Sequence, residues 1–135
     1  MHARKLLILA LPVALAGCQT WGPTWSEVTG NRFHRVEMNR MAATIERIDG
    51  RSAFPAGPNE PIRIEPGKRV LTLGAVPPSL VTAGGWQLQE FVLDAAPCKR
   101  YYVNAQWDSR IGSQWTPVID EVEGIAGCDP SPKAK

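Results

Sequence analysis

Histidine is nearly missing from this chain of 135 residues: there are two, and only His34 lies beyond the first positions. A Ser-His-Asp or Cys-His site would have to be built on that one imidazole, and no Gly-x-Ser-x-Gly elbow is present to carry a nucleophile. There is no Gly-x-Gly-x-x-Gly and no P-loop, so the usual phosphate cradles are missing too. No apolar run reaches the roughly 18 residues that a spanning helix requires. An excess of charge is also lacking. Of 15 basic and 13 acidic side chains, Arg4 and Lys5 supply the surplus, and the rest of the chain is balanced. A neutral domain without a Lys/Arg cluster lacks the electrostatic footprint of nucleic-acid binding, so no nucleic-acid partner is expected.

What is present points to one domain rich in turns. The length allows a single ordinary domain. Hydrophobic residues make up 44%, too many for a wholly disordered chain, and 12 Gly with 12 Pro favour short strands and turns over long helices.

The N-terminus has its own logic. His2, Arg4 and Lys5 precede an uncharged stretch from Leu6 to Ala16 that ends in small residues, the layout of a secretory signal. Leu15-Ala16-Gly17-Cys18 closes it and resembles the lipobox of bacterial lipoproteins. The resemblance implies that residues 1–17 are removed and that Cys18 becomes the lipidated first residue of the mature chain. Since one myristoyl chain binds only marginally, the three acyl chains of such a lipoprotein imply permanent attachment. Under the sorting rule of enteric lipoproteins, Gln19 in place of Asp implies the outer membrane, with the domain facing the periplasm.

With Cys18 assigned to lipid, Cys98 and Cys128 remain, an even number in an oxidising compartment, and a disulfide is the expected reading. The alternatives are a redox pair or a metal site. Neither cysteine has Cys-x-x-Cys spacing, and His34 is distant in sequence. His34 and Glu37 are three apart, but no third ligand is visible, so neither a metal nor a cofactor is expected.

Residues 18–42 read as the lipidated N-terminus and a tether, although Trp25-Ser26-Glu27-Val28 looks specified rather than flexible; Trp21 and Trp25 are expected to pack under the domain, the lipid headgroup region being the alternative. The domain is expected over 43–128, with a flexible tail at 129–135. Ala43–Ile48 is the first strand, closed by Asp49-Gly50, a dipeptide suited to positive φ. Ile62 and Ile64 alternate with Arg63 and Glu65, and Pro66-Gly67 is expected to turn the chain into a hairpin with 68–74. Trp86–Leu93 gives another strand. In Lys99–Trp107, Tyr101, Val103, Ala105 and Trp107 point one way, and Tyr102, Asn104 and Gln106 the other. Trp115–Val122 follows, with Pro117 marking an edge or a bulge. Strands without intervening helices predict an all-β fold, a small antiparallel β-sandwich. The segments 61–73 and 98–106 are similar to the strand order of PEGA-like and immunoglobulin-like sandwich lipoproteins. The chain as a whole is similar to a group of uncharacterised proteobacterial lipoproteins, a likeness that implies no activity.

Asp120, Glu121 and Glu123 raise glycoside hydrolysis, which needs two carboxylates about 5–10 Å apart across a cleft. Acidic groups on the open face of an edge strand are the commoner origin of such a cluster. Trp86, Trp107 and Trp115 suit either a sugar-stacking platform or the core, and the alternation favours the core for Tyr101 and Trp107. Tyr102, Asn104 and Gln106, joined by Trp115, form the candidate ligand or partner surface. The expectation is therefore a non-catalytic, lipid-anchored envelope module whose partners are the membrane and an envelope protein. A glycan or peptidoglycan binder is the alternative.

Overall fold

The computed structural model describes residues 24–32, 37–55, 57, 60–76, 87–112 and 114–130. Cys18, His34 and Trp86 lie outside them, as does the signal segment.

Nine strands occur, and no helix is found among the described residues: β1 Ser26–Thr29, β2 Arg40–Ala42, β3 Thr44–Ile48, β4 Arg51–Ser52, β5 Ile62–Ile64, β6 Gly67–Ala75, β7 Gln87–Ala95, β8 Lys99–Trp107 and β9 Trp115–Gly124. They form two sheets that face each other, mostly antiparallel, as a sandwich. In the first sheet β8 is central. Along one side β9 pairs with its full length, and along the other β1 covers its first half and β2 its second, with β5 outside β1. The second sheet runs β4-β3-β6-β7. One pairing is parallel, β1 with β8.

The core follows from period-two alternation in both sheets. Val28, Ile64, Tyr101, Val103 and Trp107 from the first sheet meet Ile45, Leu71, Leu73 and Leu93 from the second, all buried. Asp49 and Gly50 both have positive φ, 50° and 78°, and form the two-residue loop joining β3 to β4, as the dipeptide requires. Asp49 also reaches β6. Its carboxylate accepts from the Val70 backbone N–H at 2.9 Å and from Arg69 at 2.9 Å. These bonds, the backbone N–H first, hold its carboxyl below the usual carboxylate range.

Two expectations are corrected. Ile62–Ile64 and the strand from Gly67 do not form a hairpin: β5 belongs to the first sheet and β6 to the second, so Pro66-Gly67 carries the chain across the sandwich. Alternation shows that both segments bury one face but not that they bury it from opposite sides. The segment 18–42, read as tether, supplies β1 and β2, and Ser26 and Val28 are fully buried. The fold therefore begins by residue 26 rather than at 43. Gly30 explains part of this. A Cβ there would lie 1.6 Å from the Ala43 carbonyl oxygen, so only glycine lets β1 leave the sheet against the chain entering β3.

Cys98 and Cys128 form the expected disulfide, with a sequence separation of 30. It ties the β7–β8 turn to the chain leaving β9. At the same turn the Cys98 N–H donates to the Trp25 carbonyl at 2.7 Å, the Ile125 N–H donates to the Cys98 carbonyl at 3.0 Å, and Ser26 Oγ donates to the Ala96 carbonyl at 2.7 Å.

Replacing both cysteines by serine lowers unfolding free energy by about 3–4 kcal/mol, from loop-closure entropy, and is read as a fall in urea midpoint at unchanged slope. Because the Asp49 carboxyl is held low only in the folded chain, its contribution is present above the ordinary carboxylate value and lost as pH falls through the folded one. Asp49→Asn removes that part of the pH dependence, so urea midpoints measured across the acid range decline less steeply than in the parent chain.

Candidate functional site

Arg100, Tyr102, Asn104 and Gln106 alternate along β8, so all four stand on the outer face of the first sheet. Register then decides their neighbours. Arg63 of β5, Glu27 of β1, Arg100 of β8 and Glu123 of β9 fall in one row across four strands, with charge alternating along it. Arg100 Nε donates to Glu27 at 2.8 Å, and its guanidinium lies 3.6 Å from Glu123. The Tyr102 hydroxyl donates to Glu123 at 2.9 Å. Trp25 Nε1 donates to Glu27 at 3.1 Å, and the Arg63 guanidinium sits 4.4 Å above the Trp25 ring.

The electrostatics keep Arg100 and Tyr102 in their ordinary charge states. The hydrogen bond to Glu27 raises the Arg100 pKa further, and burial, followed by the bond to Glu123, raises that of Tyr102. Both shifts move away from neutrality, so neither group is tuned as an acid or base for physiological pH.

A second cluster lies further along β8. A bulge between Tyr102 and Val103 on the β8–β9 ladder leaves Asp120 as an extra residue, and its carboxylate turns across to Arg40 of β2 at 2.6 Å. Arg40 Nε also donates to the Gln106 side chain at 3.0 Å. Between the two clusters, Asn104 Nδ2 donates to the carbonyls of Gly30 and Asn31 at 2.9 and 3.0 Å. Those are the carbonyls that β1 exposes on leaving the sheet, and the amide of Asn104 takes the place of the missing ladder.

The proposed surface therefore divides. Tyr102 and Gln106 are half-buried on the outer face, but Asn104 is fully buried beneath the 30–31 segment. Trp115 is buried on the opposite face, where it pairs with Trp107, ring centroids 6.1 Å apart. Asn104 and Trp115 are thus corrected from surface to interior. Alternation places Asn104 on the outer face as expected, but residues 30–31 of the same chain cover that face there. Trp115 lies across the ladder from the inward-facing Trp107 and shares its side. Sequence reading missed Glu27 and Arg40 as neighbours of this face, because strands that join β8 from so far away in sequence leave no local mark.

Concavity is slight. An open groove of about 370 Å³ lies between β4 and β5, with Ile48 and Ile62 in its floor and Arg51, Arg63 and the exposed Phe54 at its rim. No group of three metal-ligating side chains occurs among the described residues. No family model, curated protein or solved structure matches the chain.

Replacing Asn104 with alanine removes a fully buried amide that donates to the Gly30 and Asn31 carbonyls, of which Gly30 keeps the Ala43 N–H, and is expected to lower stability by about 1–3 kcal/mol. The same change at Gln106 is expected to cost less than about 1 kcal/mol. Thermal melts of the two variants test this ranking.

Proposed function

We propose that this chain is a non-catalytic, lipid-anchored protein of the periplasmic face of the outer membrane, acting as a structural or protein-interaction module. The observation that carries the interaction reading is a group of exposed apolar side chains on two strands at one side of the sandwich. Leu88 and Val92 stand on β7, and Ile119 and Val122 on β9, the strands at one side of the two sheets. The polar groups of β8, in contrast, are engaged within the chain. A regular open edge such as β7 is where proteins add strands, and apolar side chains beside it, those of β9 included, are where they dock.

Anchoring rests on the complete Leu15-Ala16-Gly17-Cys18 motif. The spacing from Cys18 to β1 at Ser26 suits it, since about seven extended residues reach at most about 25 Å, enough to hold a domain close beside a bilayer. The glycan-binding alternative loses two of its four residues with the burial of Asn104 and Trp115.

Mass spectrometry of the N-terminal peptide from membrane-extracted protein tests the anchor. The expected product begins at Cys18 and carries a diacylglyceryl group with an amide-linked acyl chain. Cys18→Ala should leave the chain unprocessed at that site and without lipid. An unmodified Cys18 in the native protein overturns the anchoring.

A further inference from the structure

The long edge strands of the two sheets are built differently. β9 has β8 as its only ladder partner among the described residues, and it carries two features that block addition of another strand, Pro117 and the bulge at Asp120. β7 likewise pairs only with β6 among the described residues, through nine consecutive residues without a register shift. Its sequence, Gln-Leu-Gln-Glu-Phe-Val-Leu-Asp-Ala, contains no proline and no lysine. Leu88 is 53% exposed and Val92 61%, with Val70 of β6 beside Val92 at 38%. An edge this long, regular and apolar is one that natural proteins blunt unless something pairs with it.

β7 is also complementary to itself. Its outer face reads Leu88, Glu90, Val92, Asp94. Antiparallel pairing of two copies with all nine residues overlapped places Phe91 opposite Phe91, Glu90 opposite Val92, and Leu88 opposite Asp94. Every carboxylate then faces an apolar side chain. Sliding by two residues either way sets Glu90 against Glu90 or Glu90 against Asp94, which like-charge repulsion disfavours. The register with the greatest overlap is therefore also the one free of facing charges.

We propose that β7 is a homodimerisation edge: two copies of this chain join by antiparallel β7–β7 pairing about a two-fold axis through Phe91, making one continuous sheet of eight strands from the second sheets of both. The interface is isologous and closed, so it ends at a dimer. The same axis turns the β7–β9 side of one protomer toward that of the other. Ile119 and Val122, 44% and 41% exposed although they stand opposite the inward-facing Val103 and Tyr101, lie on that side. The axis is perpendicular to the sheet. Both tethers therefore reach one bilayer when the sheets lie parallel to it. The proposal deepens the interaction reading by naming its partner.

The test uses the mature lipidated chain in detergent micelles, with protein mass determined by light scattering, and the same chain in native membranes for crosslinking. The expected protein mass is twice that of one protomer. Val92→Glu sets a carboxylate opposite Glu90 twice over and is expected to weaken the dimer at least about tenfold. Adding Glu90→Lys to that variant restores attraction across the axis and the dimer with it. With Glu90→Cys and Val92→Cys together, oxidation links two chains. Leu88→Cys alone does not, since in this register position 88 faces position 94 of the partner, six residues, about 20 Å, from the partner's own position 88. A single-protomer mass across the micromolar range, a dimer indifferent to Val92→Glu, equal crosslinking by the two cysteine variants, or capture of a different polypeptide at position 92 overturns the proposal. Failure here leaves the lipid on Cys18 untouched, and an unlipidated Cys18 leaves the dimer measurement untouched, so the two readings fail separately.

Discussion

Seating β1 between β8 and β5 is the constraint from which the first sheet is built. Without β1, β5 loses its ladder partner and the first half of β8 loses a neighbour. The four residues of β1 are short for a strand so placed, and groups at its two ends extend the hold. At its start the Trp25 carbonyl accepts from Cys98, in the turn that the disulfide also grips. At its end the Gly30 carbonyl accepts from both the Ala43 N–H and the Asn104 side chain. Since pairing with a distant strand costs loop entropy before contacts repay it, these flanking bonds matter more than their number suggests.

The row Arg63, Glu27, Arg100, Glu123 has a corresponding role. Exposed ion pairs contribute about 0.2–1 kcal/mol each, so the row is a weak source of stability. As a register key it is stronger. Sliding β1 by one residue along β8 would turn Glu27 to the inside and Val28 to the outside, stranding a charge in the core and an aliphatic side chain in water. The Glu27–Arg100 and Tyr102–Glu123 bonds are therefore better understood as fixing neighbours in place than as a reactive site. The raised pKa values of Arg100 and Tyr102 agree with that, because each reflects a settled partner or burial.

The sequence was most legible where structure is local. The ends of β8 fall where alternation sets them, at Lys99 and Trp107, and the Asp49-Gly50 turn follows from residue chemistry. Cysteine parity was enough to anticipate the disulfide. What was illegible is adjacency. A period of two tells which side chains share a face but not which strand lies next door, so β5 and β6 were joined as a hairpin although they sit in different sheets. The same gap hid Asn104, whose outward direction is right but whose place is covered by residues 30–31. It also hid β1, whose four residues carry too little pattern to stand out beside Trp25 and Gly30.

The two edges and the row of charges describe a division of labour between the sheets. The outer face of the first sheet is engaged by its own polar groups, and its long edge at β9 is closed to further strands by Pro117 and the Asp120 bulge. That bulge is not an independent ornament: it is what turns the Asp120 carboxylate to Arg40, so one irregularity both blunts an edge and fastens β2. In the second sheet the β6–β7 ladder is free of bulges, and β7 has no proline or lysine, only the carboxylates Glu90 and Asp94 on its outer face. The first sheet is thus closed along its long edge by its own irregularity, whereas the second presents at β7, beside β9, a regular edge with no ladder partner but β6 among the described residues.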